Sequence, residues 1–309
     1  MHPIGLKNGQ LMPAEQLSLP VFDGGFVQGV TVAEQLRTFA GRLYHLAEHI
    51  DRLLGGLEIV GVSLPWSREQ LMAWAEEVAS TNHRLLAEGD DLALVVFVTP
   101  GPYAAFAAAP GIVPDGERGP LLVMHSYPLP FANWAKLYEQ GQPLVISNHR
   151  EVPTSCWPAS LKCRSRMHYY LADAEARRVD PQARAILLDT EGMVAEASTA
   201  SLFLWFEEEG FVAPPVDQIL PSISLGTIRE MAAKMGHRFS HREIEAAELF
   251  DADEVLLCST SPCVLAGSVI DGLPVGAECP GRMWRTLIRG WNEIAGFDLV
   301  EQAERFRVR

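Results

Sequence analysis

The sequence is short of positive charge. Lysine and arginine together number 25 against 39 aspartates and glutamates, a formal net charge of −14. A surface that acidic repels phosphate backbones and anionic lipid, so neither nucleic acid nor a membrane is expected as a partner. A local basic pocket for a small anion is still compatible with it. Long apolar runs are also missing. The longest, Leu92–Val98, is far below the roughly 20 residues that cross a bilayer. The opening Met-His-Pro-Ile-Gly-Leu-Lys has no apolar stretch of signal-peptide length, which makes a cytoplasmic protein the expectation. Cysteine is scarce. Cys156, Cys163, Cys258, Cys263 and Cys279 are odd in number and follow no close pairing pattern, so they read as free thiols in a reducing compartment. Internal repeats and low-complexity tracts are absent.

What is there suits a folded enzyme of ordinary size. At 309 residues the chain is long enough for two domains, and with 48% hydrophobic and 21% charged residues it can fill a core. Apolar spacing predicts helices over Leu46–Leu57, Ser67–Leu86, Met167–Val179, Ser224–Met235 and Arg282–Ile294. Ser67 with Gln70 forms a capping box, and Gly236 suits a helix C-terminus. Strands are expected at Leu92–Thr99, Leu121–His125, Ala183–Asp189 and Glu254–Cys258. Hairpins are expected over 201–213 and around Asp271-Gly272. The stretch 101–119, rich in Ala, Gly and Pro, reads as loop. Residues 128–151 show no sustained periodicity and read as a passage between domains. Strands and helices mix without strict alternation, which argues α+β or mixed-sheet domains over a doubly wound sheet.

Three separated signals carry the chemistry. The first is Phe22-Asp23-Gly24-Gly25-Phe26, then Glu34-Gln35-Leu36-Arg37, then Glu48-His49-Ile50-Asp51-Arg52-Leu53. The second is Leu161-Lys162, followed by Glu175-Ala176-Arg177. The third is Asp189-x-x-Gly192-x-Val194-Ala195-Glu196, followed by Leu220-Pro221-Ser222-Ile223-Ser224 and Cys258-Ser259-Thr260. In this order and spacing they resemble the class IV aminotransferases, the fold-type IV pyridoxal-phosphate enzymes. That family includes branched-chain and D-amino-acid aminotransferases and aminodeoxychorismate lyases. The resemblance runs from about Leu6 to about Arg285.

The resemblance implies an α/β (α+β) two-domain enzyme, with a small N-terminal α/β domain over 1–127, an interdomain segment over 128–150 and a larger C-terminal pseudo-barrel domain over 151–309. It implies a homodimer in which the partner's N-terminal domain completes the pocket. The expected activity is transfer of an amino group between an amino acid and an α-keto acid. The cofactor, pyridoxal 5′-phosphate, would be held on Lys162 as an internal aldimine, and the lysine amine would later shuttle the substrate proton. Glu196 is the carboxylate set against the pyridine nitrogen, where it keeps the ring protonated. Arg52 supplies a cation to the phosphate, the backbone N–H groups of Ile223 and Ser224 supply donors at a helix start, and Thr260 adds a hydroxyl. Each has a plainer reading: a surface lysine, a glutamate beside a hairpin, an arginine paired with Glu48 or Asp51 on its own helix.

The substrate side departs from the family. Leu-Pro-Gly-Ile-Thr-Arg is here Leu220-Pro221-Ser222-Ile223-Ser224-Leu225. The arginine of a Thr-Arg-Gly triplet is replaced in Thr99-Pro100-Gly101, and the strand Leu92–Val98 lacks the arginine of the branched-chain enzymes. A buried substrate carboxylate needs a cation or several donors. Arg166 is the first candidate, since an arginine four residues after the lysine is a feature of the aminodeoxychorismate lyases. Arg164 is the second, and Ser261 a further one. Either arginine could instead pair with Asp173 or Glu175 on the surface. A lyase on the same cofactor is therefore the alternative reaction. A remote alternative is a zinc hydrolase, since His45-x-x-Glu48-His49 matches a zinc-protease pattern. No third ligand is evident in the sequence, and no metal is expected.

Overall fold

The computed structural model describes residues 2–114 and 118–308. They fall into two compact units, Met1–Leu129 with Leu161–Ser165, and Pro130–Ser160 with Arg166–Arg309.

In the first unit the elements are β1 (Ile4–Lys7), β2 (Gln10–Pro13), α1 (Gly24–Val27), β3 (Val32–Phe39), β4 (Arg42–Leu43), α2 (Leu46–Ile59), α3 (Arg68–His83), β5 (Leu92–Thr99), α4 (Ala104–Ala107) and β6 (Leu121–Pro128). Among the described residues the strands form a six-stranded sheet ordered β2-β1-β6-β5-β3-β4, with antiparallel neighbours throughout. The alternation of β3, β5 and β6 sends Leu36, Leu94, Val96, Leu122 and Met124 to one face. There they pack with Ile50 and Leu53 of α2 and with Leu71 and Val78 of α3. The opposite face carries Gln35, Val95 and His125, which are aligned across the three strands. The capping box forms at Ser67 and Gln70.

The second unit holds α5 (Phe131–Gln140), β7 (Gln142–Arg150), α6 (Met167–Val179), β8 (Arg184–Leu188), β9 (Val194–Ala197), β10 (Ser201–Phe206), β11 (Gly210–Ala213), α7 (Ile223–Lys234), β12 (Phe239–His241), α8 (Glu248–Asp251), β13 (Glu254–Ser259), β14 (Cys263–Ile270), β15 (Leu273–Pro274), α9 (Arg282–Ala295) and α10 (Leu299–Arg305). Its nine strands, among the described residues, run in the order β12-β11-β10-β13-β14-β7-β8-β9, with β15 paired to β14. β7 lies parallel to both β14 and β8, while β8 and β9 are antiparallel. The chain then turns from β9 directly into β10 through mutual hydrogen bonds of Ala197 and Ala200, with Thr199 in the left-handed region. That turn brings the last strand of the order back to β10 and curls the sheet into a pseudo-barrel.

Three expectations need correction. Residues 128–150 are not a bare passage: Pro128 ends β6, and from Pro130 onward the segment forms α5 and β7 and belongs to the second unit. Leu161–Ser165, expected inside the C-terminal domain, belongs to the first unit. The stretch 101–119 contains the short helix α4, and residues 115–117 of it lie outside the described residues. No helix of the described residues is long and apolar enough to cross a membrane.

Candidate active site

In the first unit the site grows from β3. The backbone N–H of Ala33 donates to the Lys162 carbonyl at 3.0 Å, and the Arg164 N–H donates to the Thr31 carbonyl at 2.8 Å. Val32 and Cys163 are bridge partners between them. The segment is thus a strand-like addition to the edge of β3. Ser165 fastens its end, donating its hydroxyl to the Gly29 carbonyl at 2.8 Å. In such a pairing residues two apart project to one side, so Lys162 and Arg164 share the face of Thr31, Ala33 and Gln35.

Arg52 comes from α2 and meets Glu34 of β3 in a two-pronged pair, Nε to Oε1 at 2.6 Å and Nη2 to Oε2 at 2.7 Å. His49, one turn before Arg52, lies 2.7 Å from Glu34 through Nδ1. Glu34 and His49 are fully buried. Burial resists ionisation of Glu34, but the hydrogen bonds from Arg52 and His49 outweigh it and draw its pKa down to about 2. Burial lowers the pKa of His49 and the Glu34 bond only partly offsets this, with the positive charges of Arg52 and Lys162 adding to the lowering. We therefore assign a neutral imidazole that donates from Nδ1 to an ionised Glu34. The plainer reading of Arg52, a pair with Glu48 or Asp51, is replaced. Glu48 meets His45 and Asp51 meets Arg68. The zinc pattern is also taken apart, since His45 and His49 turn to different carboxylates. Among the described residues no cluster of three His, Cys, Asp or Glu side chains could hold a metal ion.

The early Asp-Gly-Gly motif has a structural cause. Asp23 caps α1, accepting from the Gly25 N–H at 2.6 Å and from the Thr99 hydroxyl at 2.8 Å. A Cβ on Gly25 would stand 2.4 Å from the Thr99 methyl, so only glycine fits. A cavity of this unit lies on the open face of the sheet. It measures about 450 Å³ and is lined by Thr31, Gln35, Phe97, His125, Tyr127 and Arg164, among others.

In the second unit Glu196 sits on β9 and is nearly buried. The Tyr169 hydroxyl of α6 donates to its Oε1. Burial, then the charges of Glu196 and Glu151, hold the Tyr169 phenol well above its usual range, so it remains a donor. Arg166 precedes α6 as its N-cap residue, and its charge reaches Tyr169. Sequence reasoning missed Tyr169, whose only signal was its place on a helix after the lysine. Of the pairings considered for Arg164 and Arg166, Asp173 bonds Arg177 at 3.4 Å and Glu175 accepts from the Ser147 hydroxyl at 2.6 Å. Glu175 thus ties α6 to β7. Asp189 accepts from the N–H groups of Glu191 and Met193 at 2.8 and 2.9 Å, and Gly192 takes a φ of +93°, so Asp-x-x-Gly builds the β8–β9 turn.

The helix α7 begins one residue earlier than its apolar spacing suggested, at Ile223. Ser222 caps it, accepting from the Leu225 N–H at 3.2 Å. The N–H groups of Ile223 and Ser224 then have no carbonyl within the helix to bond. The Ser224 hydroxyl is buried and has no hydrogen-bond partner among the described residues. Ser222 and Ser201 lie near the buried Cys258 thiol, so the helix start lies beside the end of β13. Thr260 and Ser261 occupy the turn that follows, between Ser259 and its partner Cys263. The second unit thus carries Ile223 and Ser224 at a helix start and Thr260 and Ser261 in the β13–β14 turn. It also has a cavity of about 380 Å³, whose lining includes Glu151, Asp189, Glu191, Asp217 and Glu243.

Several known proteins are similar to this chain. A family model described as amino-transferase class IV matches residues 31–270. The D-alanine aminotransferase of Bacillus licheniformis is 24% identical over 290 residues, covering 91% of this chain and 93% of that protein. The aminodeoxychorismate lyase of Bacillus subtilis (strain 168) is 24% identical over 278 residues, covering 88% of each. Among solved structures, a T.th. branched-chain amino acid aminotransferase with pyridoxamine 5′-phosphate superposes with a TM-score of 0.82 at 22% identity, over 96% of this chain and 94% of that one. The branched-chain amino acid aminotransferase from Escherichia coli gives 0.77 at 21% identity, over 96% and 95%. The fold is that of fold-type IV, and the chain is an enzyme that belongs to the class IV aminotransferase family.

Proposed function

We propose that this chain is a pyridoxal-phosphate aminotransferase that moves an amino group between an amino acid and an α-keto acid, with the cofactor carried on Lys162. The observation that best supports this reading is the pinning of Lys162. Its carbonyl is fixed on Ala33, one residue from the Glu34 that holds Arg52. A lysine that must hold and then release a cofactor needs a fixed backbone and a nearby anion-binding cation. The buried, unpartnered Ser224 hydroxyl supports the cofactor independently, because an unpaired polar group in a core is costly unless a ligand completes it.

Pyridoxal phosphate, when bound, supplies an electron sink for the carbon chemistry. The rest falls to the chain. Arg52, the N–H groups of Ile223 and Ser224, and the Ser224 and Thr260 hydroxyls would hold the phosphate. Glu196, oriented by Tyr169, would keep a proton on the ring nitrogen. The Lys162 amine would move the proton at the substrate α-carbon. Arg166, Arg164 and Ser261 are the candidates for the substrate. We propose, too, a cytoplasmic homodimer acting on a small amino or keto acid.

The test is a panel of L- and D-amino acids with the cofactor-loaded protein, with and without an α-keto acid. Conversion of the cofactor to its pyridoxamine form by an amino acid alone, reversed by a keto acid, is the expected result. Pyruvate release that needs no keto acid would assign the lyase reaction instead.

A further inference from the structure

We propose that Arg164 anchors the carboxylate of the substrate, in the cavity on the open face of the first unit's sheet, and that this cavity takes carboxylic acids with an apolar body. The proposal rests on the aminotransferase reading only in calling that acid the substrate.

The cavity has an apolar floor and a single guanidinium. Val95 and Phe97 of β5 supply the floor, on the strand that carries no arginine between Leu92 and Val98. The cation arrives from a different element. The segment beside β3 is extended, not helical, so Arg164 lies on the side of Thr31 and Gln35 that faces the cavity. Gln35, Val95 and His125 are cross-strand partners in one row, and Tyr127 follows two residues along β6. The Arg164 charge acts on both His125 and Tyr127. Burial, then that charge, lowers the pKa of His125 and so favours a neutral imidazole at neutral pH. Thr31, Gln35, His125 and Tyr127 are therefore neutral hydrogen-bonding groups around one cation. That set complements a monoanion, and a volume near 450 Å³ admits a small acid with its side chain.

The second unit's cavity has the opposite character. Five carboxylates from Glu151, Asp189, Glu191, Asp217 and Glu243 line it, and a carboxylate entering it would be repelled. Arg166, first choice on sequence, sits in that unit at the start of α6. β5 carries no arginine on this face, and the one guanidinium at the cavity comes from the segment paired with β3.

The test uses the cofactor-loaded protein and two probes that do not react, 4-methylvaleric acid and its amide. Calorimetry should give the wild type a preference for the acid of at least about tenfold, because a charge-assisted bond is typically worth one to two decades in Kd. Arg164→Gln should abolish that preference by weakening the acid alone, and Arg164→Lys should restore part of it. An unchanged preference in Arg164→Gln overturns the proposal. So does its loss in Arg166→Gln while Arg164→Gln retains it, or failure of the wild type to bind the acid better than the amide. Should Arg164→Gln not fold, Arg164→Lys still decides: a preference equal to that of the wild type counts against the anchor, and a reduced one supports it. The probes need no turnover, so a failure of the aminotransferase reading would show in the amino-acid panel and leave this measurement readable.

Discussion

Glu34 works as a bracket between two donor side chains. A carboxylate buried in a core would ordinarily take up a proton, yet here Arg52 grips both its oxygens and His49 shares one. Its pKa falls from 4.5 to about 2. A depressed carboxylate contributes stability that is fully present above its unfolded value and fades as pH drops through the folded one. Glu34→Gln should therefore lower the thermal midpoint at neutral pH, by the equivalent of about 3 kcal/mol. The gap to the wild type should narrow as pH falls from about 4.5 toward 2. Thermal melts across that range check it, and a gap that stays constant would show that the lost stability is not electrostatic. Arg52→Ala should loosen the cofactor by roughly one to two decades in Kd, read by equilibrium dialysis. The residue types of this cluster were legible in the Glu34 and His49-x-x-Arg52 motifs. Their mutual pairing was not, because β3 and α2 meet only in the fold.

The elements show which physical signals a linear reading keeps. β5, α6, β10 and β11 begin and end where their apolar patterns and turns placed them. α5 and β7 were missed for different reasons. α5 does carry a helical stripe, burying Phe131, Trp134, Ala135 and Tyr138, and it ends at Gly141 with a φ of +75°. The signal was present but short. β7 is flanked by parallel partners on both sides, and such strands lack the alternation that marks a half-buried strand. The start of α7 carries the sharpest test at this scale. Ser222 stands where the family has glycine, and it serves as the cap. Ser222→Ala should cost about 1 kcal/mol of stability. Ser224→Ala should leave the thermal midpoint of the cofactor-free protein unchanged or slightly higher, since it removes a buried hydroxyl without a partner. The same variant should retain the cofactor less well. Equal losses of stability in both variants would show that Ser224 is a structural residue.

Across the whole molecule, the chain order of the motifs hides their distribution. Lys162 and Arg164 lie past the C-terminal side of the expected boundary, yet the segment Leu161–Ser165 completes the sheet of the first unit. Sequence spacing could relate Lys162 to Glu196 as a family pattern. It could not reveal that the lysine is held by β3 while the glutamate is held by β9 and Tyr169. The substrate side was least legible, because Arg164 reaches the cavity of the first unit on a strand-like segment that only tertiary pairing creates. A net charge of −14 makes the local placement of each arginine matter more, since the average field opposes an anionic substrate. The central claim is that Lys162 carries the cofactor. Reduction of the cofactor-loaded protein with borohydride, then peptide mapping by mass spectrometry, tests it directly. The account predicts the phosphopyridoxyl group on the peptide containing Lys162. Finding it on Lys7, Lys136 or Lys234, or on no lysine, would contradict it.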